Sequence, residues 1–99
     1  MYLEKYIKDI IVICQNNKVK TLYVFGSVLT ERFTDKSDID LIVDIDSIEP
    51  LDYADNYFNL KFALEELLNR HIDLLEHKAI KNPYLRENID NSKNLLYAS

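Results

Sequence analysis

Three apolar runs divide the chain, and the segments between and around them have the apolar spacing of helices. The runs 19–25, 38–45 and 71–76 are rich in valine, isoleucine and leucine, which is typical of buried strands. Elsewhere, apolar residues recur every third or fourth position and predict amphipathic helices. The predicted helices cover residues 2–14, 27–32, 53–69 and 83–91, and residues 94–97 form a last turn or a short extended piece.

Two residues are expected to begin helices by capping them. Asp52 precedes the longest helical stretch, and Asn82 precedes Pro83, a residue suited to the first helical position. The long helix is predicted to bury a stripe of five side chains: Tyr57, Leu60, Leu64, Leu67 and Leu68. The alternating order of helices and strands therefore predicts an α/β (α+β) fold. The predicted fold is a small mixed sheet of three to four strands with helices packed against it, and residues 1–99 are expected to form one domain.

Charge and composition narrow the class of function. The net charge is −5 and the basic residues are scattered, which argues against a nucleic-acid-binding surface. The single cysteine, Cys14, rules out an internal disulfide and lies in an apolar run where a buried thiol is expected. No apolar stretch reaches about 18 residues, and the first residues lack a signal-peptide pattern, so we expect no membrane association and a cytoplasmic protein.

Gly26 is the only glycine in the chain, and Ser27 follows it at the end of the first predicted strand. Glycine permits a positive φ or a close approach of the backbone to a ligand. A strand that turns through Gly-Ser into a helix presents free backbone N–H groups to an anion. The pair is therefore a candidate phosphate-binding turn.

Asp38 and Asp40 lie in the second apolar run, two residues apart, so a strand there would point both carboxylates to one face. Two adjacent carboxylates repel each other, and burying them is costly unless a cation lies between them. Mg²⁺ takes oxygen ligands and keeps substrate phosphates in its remaining positions. We therefore interpret the two aspartates as magnesium ligands.

Asp73 is the candidate third carboxylate, because it interrupts the last apolar run between Ile72 and Leu74. Three aspartates could hold two metal ions about 3.5–4 Å apart, an arrangement suited to in-line attack at phosphorus. In that arrangement Asp73 could also act as a general base.

Phe25-Gly26-Ser27, ten intervening residues, Asp38-Ile39-Asp40-Leu41 and the later Asp73 together resemble the nucleotidyltransferase superfamily typified by DNA polymerase beta. The length is similar to that of its minimal nucleotidyltransferases, the antitoxins paired with HEPN-domain toxins. Many members follow Gly-Ser with Ala-Arg-Gly, whereas this chain has Leu29, Thr30 and Glu31, with Arg32 as a neighbouring source of positive charge.

The resemblance implies a polymerase beta-like fold and a role for each of five residues. Gly26 and Ser27 would bind the nucleotide phosphates, and Asp38, Asp40 and Asp73 would be both catalytic and metal-binding. The implied reaction uses two Mg²⁺ ions and transfers AMP from ATP to tyrosine hydroxyls of a cognate HEPN-type RNase toxin. The protein would then be an antitoxin that forms a hetero-oligomer with that toxin.

Two alternatives remain open. The antitoxin could neutralise its toxin by binding alone, with no catalysis. The enzyme could instead transfer a nucleotide to a small molecule such as an aminoglycoside.

Overall fold

The computed structural model describes residues 1–99 and contains three α-helices and four strands. The helices are α1 (Ile7–Asn16), α2 (Pro50–Leu68) and α3 (Pro83–Ser92). The strands are β1 (Val19–Phe25), β2 (Ile39–Ile45), β3 (Ile72–Glu76) and β4 (Asn94–Ala98). Short 3₁₀ turns cover Glu4–Tyr6, Gly26–Leu29 and His77–Ala79.

The four strands form one mixed sheet in the order β3-β2-β1-β4. β1 pairs antiparallel with both β2 and β4, and β2 pairs parallel with β3 through the crossover helix α2. The predicted mixed sheet of three to four strands is therefore confirmed, with the tail segment 94–97 forming an edge strand rather than a turn.

One face of the sheet packs against α1 and α2 and contains the main core. Alternate residues of β2 are fully buried on this face, as are Leu60 and Leu64 of α2. The burial of Leu60, Leu64 and Leu68 confirms the predicted helix stripe, while Tyr57 and Leu67 are only partly buried. Cys14 is fully buried, and this burial raises the pKa of its thiol to about 12, so the thiol is structural as expected.

The opposite face of the sheet has its own small buried group. Ile42 of β2 and Ile89 of α3 are 1% and 2% exposed, and neither belongs to the main core. Lys93, just after α3, places its Nζ 4.3 Å from the ring centroid of Tyr23, which pairs with Ile42. These contacts place the end of α3 against the face that also bears Asp40.

The start of α2 differs from the sequence prediction. Asp52 does not cap α2, because Glu49 accepts hydrogen bonds from the backbone N–H groups of Leu51 and Asp52 and Pro50 occupies the first turn. Asp52 instead accepts hydrogen bonds from Ser47 and Lys18, and these lower the pKa of its carboxyl. By contrast, the side chain of Asn82 accepts from the first N–H groups of α3, as predicted.

The first helix begins and ends later in the structure than the predicted range 2–14. No side chain caps its beginning, so residues Glu4–Tyr6 form a 3₁₀ turn before α1 begins at Ile7. The helix continues through Asn16, where a polar stop was expected, because Asn17 donates a side-chain hydrogen bond of 2.8 Å to the carbonyl of Ile13. None of the helices is long and apolar enough to cross a membrane.

Replacing Leu64 by alanine should test the α2 contact with the sheet. Leu64 is fully buried, so Leu64→Ala should lower the free energy of unfolding by about 2–5 kcal/mol, measured by urea denaturation. Leu51→Ala on the same helix is the matched control. Its side chain is 76% exposed, so the change should stay within about 0.5 kcal/mol. Equal effects of the two substitutions would contradict this packing.

Candidate functional site

Strand register brings the predicted site residues together at one end of the sheet. Asp40 lies opposite Phe25 on β1 and opposite Asp73 on β3. The inner strand β2 therefore holds Asp40 between the Gly26-Ser27 turn on one side and Asp73 on the other. Gly26 and Asp73, which are 14 and 33 positions away from Asp40 in the chain, become its neighbours.

Asp38 lies just before β2 rather than within it, since the strand begins at Ile39. Its exposed carboxylate is 3.3 Å from Nδ1 of His71, the residue just before β3. The backbone N–H of Ile39 also donates to the carbonyl of His71, at 3.2 Å. The sequence prediction that Asp38 and Asp40 share a strand was therefore wrong for Asp38, although both lie at the same end of the sheet.

Gly26 is required by its backbone and by its neighbour. Its φ is +80°, a left-handed conformation that favours glycine. A Cβ at this position would overlap Oδ2 of Asp40 and lie 3.2 Å from its Cγ. The turn therefore lies directly against the central carboxylate, and the one glycine is placed where any side chain would displace Asp40.

The folded protein disfavours the ionised form of the Asp40 side chain. Partial burial removes water from its carboxylate, and the nearby charges of Asp73 and Asp38 repel it, so the pKa of Asp40 is raised above its usual value. A cation bound beside Asp40 would reverse this penalty. The raised pKa thus has the physical cause expected of a charge cluster that binds a cation.

The carboxylates adjoin one another but do not converge on a common point. No three side chains of His, Cys, Asp or Glu are arranged to hold a metal ion together. Mg²⁺ does not need a full protein cage, because it retains waters and is bound by one or two carboxylates and substrate phosphates. The hard oxygen donors of Asp40, Asp38 and Asp73 fit such a partial site.

A cavity of about 670 Å³ opens beside the Gly26-Ser27 turn. Its size is in the range of pockets that accept small ligands. It is lined by Gly26, Ser27, Leu29, Thr30, Arg32, Ser92 and Asn94. Arg32, the neighbouring source of positive charge noted in the sequence, is one of these lining residues.

Ser92 and Asn94 are lining residues that the sequence prediction missed. They end α3 and begin β4, and they reach the turn because Asn94 pairs with Val24 near the end of β1. Nothing in their local sequence marks them, since their position depends on where β4 joins the sheet.

Comparison with known proteins identifies the family of the chain. Residues 8–99 match the family described as polymerase beta, nucleotidyltransferase. A candidate protein adenylyltransferase from Methanocaldococcus jannaschii, MJ0128, is 38% identical over 96 residues, which cover 92% of this chain and 93% of that protein.

Solved structures share the fold at low sequence identity. A toxin-antitoxin structure with AMP-PNP matches with a TM-score of 0.71 and 22% identity, covering 94% of this chain and 73% of that one. A structure of a tri-AMPylated HEPN toxin with its MNT antitoxin, from Shewanella oneidensis, contains a chain that matches with a TM-score of 0.64 and 20% identity. That match covers 97% of this chain and 72% of that one.

Removing the charge of Asp40 should not destabilise the fold. A carboxyl whose pKa is higher in the folded chain binds its proton more tightly there, so its contribution to stability falls as the pH rises above about 4. At pH 7, Asp40→Asn should therefore unfold at the same temperature as the unmodified protein or higher. The gain should shrink when thermal unfolding is repeated near pH 4.

Asp46→Asn is the control, because Asp46 is exposed beyond the far end of β2. It should show no such pH-dependent gain. A clear drop in the unfolding temperature of Asp40→Asn at pH 7 would show that burial and the charges of Asp73 and Asp38 do not disfavour the Asp40 carboxylate.

Proposed function

The chain belongs to the polymerase beta nucleotidyltransferase family, and from that premise we propose that it transfers AMP from ATP to tyrosine hydroxyls of a HEPN-type RNase toxin. It is thereby an antitoxin. The observation that supports the proposal most directly is the placement of Asp40 between the Gly26 turn and Asp73, with Asp38 beside them.

The nucleotide is proposed to lie in the cavity beside the Gly26-Ser27 turn. Its phosphates would accept hydrogen bonds from the backbone N–H groups of the turn and from the Ser27 hydroxyl. Arg32, on the cavity wall, would add positive charge. A neighbouring structure with AMP-PNP supports a nucleoside triphosphate as the substrate.

Asp40, Asp38 and Asp73 are the residues proposed to hold Mg²⁺. When bound, the ion would neutralise the carboxylates and the triphosphate and polarise the α-phosphate. Asp38, whose carboxylate contacts Nδ1 of His71, would bind the ion while that imidazole lies beside it. Burial and the charges of Asp73 and Asp38 raise the pKa of Asp40, and a bound cation would offset both effects.

Asp73 is proposed to orient the acceptor hydroxyl and to accept its proton. It is exposed on β3, next to Asp40, so an incoming side chain can reach it. The tyrosine oxygen then forms a bond to the α-phosphorus while the bond to the pyrophosphate oxygen breaks, and pyrophosphate leaves. The products are an AMP-tyrosine phosphodiester and pyrophosphate.

The acceptor is proposed to be a partner protein because of three observations. The MJ0128 relative is named as a candidate protein adenylyltransferase, and an MNT antitoxin of the same fold is found with a tri-AMPylated toxin. The helix α2 also exposes Phe58 and Phe62, at 50% and 59%, with their rings stacked. Exposed aromatic side chains are enriched where proteins dock.

The decisive experiment is the intact mass of the partner toxin after co-expression with this protein. The unmodified protein should increase the toxin's mass in steps of one AMP group, and peptide mapping should locate the groups on tyrosines. Asp40→Asn should abolish the increase, because the central carboxylate is lost while the fold is kept. Asp46→Asn should leave it unchanged.

Two results would contradict the proposal. A toxin that co-purifies without modification and is neutralised equally by Asp40→Asn would favour neutralisation by binding alone. Transfer of AMP to an aminoglycoside, with none to the toxin, would favour the small-molecule enzyme.

Nucleotide binding can be tested without the partner. ATP with Mg²⁺ should raise the unfolding temperature of the unmodified protein, since a ligand that binds only the folded state stabilises it. ATP with EDTA should raise it less. In Asp40→Asn the difference between these two conditions should disappear, and in Asp46→Asn it should remain. The same magnesium-dependent shift in Asp40→Asn would argue against the proposed ligand.

A further inference from the structure

We propose that Arg70 is a positioning residue for the reaction: it fixes the loop 30–38, which connects the phosphate-binding turn to the carboxylates. The inference deepens the proposed function and rests on it for the chemistry. Arg70 follows Asn69, the left-handed residue that ends α2, and its side chain is only 11% exposed.

The guanidinium of Arg70 lies against two aromatic rings. Its Cζ is 4.8 Å from the ring centroid of Tyr2 and 4.4 Å from that of Phe33, and the two rings are themselves 5.2 Å apart. Arginine is suited to this position because its planar, weakly hydrated cation can stack on rings while its N–H groups remain free to donate. The rings therefore hold the guanidinium in one place at the side of the loop.

From that place, Arg70 binds both ends of one turn of the loop. Its Nη1 donates to the backbone carbonyls of Thr34 and Ser37, each at 2.9 Å. The turn is closed by its own bonds, with the Ser37 N–H donating to the Thr34 carbonyl and the Thr34 N–H donating to the Ser37 hydroxyl. A charged donor on two carbonyls is a stronger restraint than an ordinary loop contact.

The restrained turn lies between the groups that the reaction needs. Asp38 directly follows Ser37, and Arg32, on the cavity wall, precedes Phe33. Neither is held by a strand, since β2 begins at Ile39. The position of Asp38 and Arg32 relative to Asp40 is thus set through the turn that Arg70 binds, although Arg70 itself is not among the cavity-lining residues.

The test compares Arg70→Ala, Arg70→Lys and Phe33→Leu, each below its own unfolding temperature. Arg70→Ala should lower kcat for AMP transfer by about tenfold to a hundredfold at saturating ATP, because small displacements of reacting groups have effects of that size. Arg70→Lys keeps the cation but loses the planar fork, and should give an intermediate kcat. Phe33→Leu keeps the apolar volume without the ring face and should show a smaller loss.

Hydrogen exchange supplies a readout that does not depend on activity. The backbone N–H groups of Ser37 and Ile39 are bonded to Thr34 and His71, and both should exchange faster in Arg70→Ala while the amides of β1 remain protected. Lys78→Ala is the matched control. It removes a cation 4.1 Å from the ring of Tyr53, beyond the other end of β3, and should change neither kcat nor loop exchange.

Unchanged kcat and unchanged loop exchange in Arg70→Ala would overturn the inference, as would a loss of kcat that disappears after correction for the unfolded fraction. If Arg70→Ala does not fold, kcat and loop exchange are compared between Arg70→Lys, Phe33→Leu and the control Lys78→Ala. Values of both variants equal to those of the control would overturn the inference. If the unmodified protein transfers no AMP, the proposed function fails, and loop exchange alone decides whether Arg70 positions the loop.

Discussion

The repulsion among the aspartates around Asp40 is the constraint on which the site depends. Asp40 is on the central strand β2, partly buried, with Asp73 on the neighbouring strand and Asp38 at the strand entrance. Such a cluster is unfavourable for folding, so the surrounding sheet must hold it in place. Hydrogen bonds from β2 to both β1 and β3, and the buried faces of β2, supply that restraint.

The turn at Gly26 is the second part of the same arrangement. Its left-handed backbone lets the chain pass so close to Asp40 that no side chain would fit between them. This closeness puts the backbone proposed to bind phosphate beside the carboxylate proposed to bind Mg²⁺, which is the pairing that a metal-bound nucleotide requires. Fold and chemistry are therefore linked at one backbone position.

The loop between the turn and β2 is held differently from the sheet. It has no strand partners, and it is restrained by the hydrogen bonds within its turn and by contacts of Arg70 with Thr34, Ser37 and two rings. Asp38 and Arg32 lie on this loop, whereas Asp40 lies on β2. The site thus combines a carboxylate on a strand with residues on a loop that Arg70 contacts.

The sequence by itself determined the type and order of most elements, because local patterns specify them. The apolar run 19–25 predicted the bounds of β1, and Asn82-Pro83 predicted the start of α3, since capping and proline effects are local. Gly26, Ser27, Asp38, Asp40 and Asp73 were found as candidates because each is a polar or conformationally special residue at or within an apolar run. Their resemblance to the motifs of a known nucleotidyltransferase family implied the class of enzyme, and the family match confirms it.

Only the tertiary structure decided which of these residues meet and what holds them. The carboxylate of Asp52 is bound by Lys18, 34 positions away, while Glu49 caps α2. Ser92 and Asn94 reach the cavity because β4 joins β1, and Arg70 reaches Thr34 across 36 positions of chain. Long-range pairing of this kind leaves no local trace in the sequence, because it arises from strand register and packing rather than from any residue's neighbours in the chain.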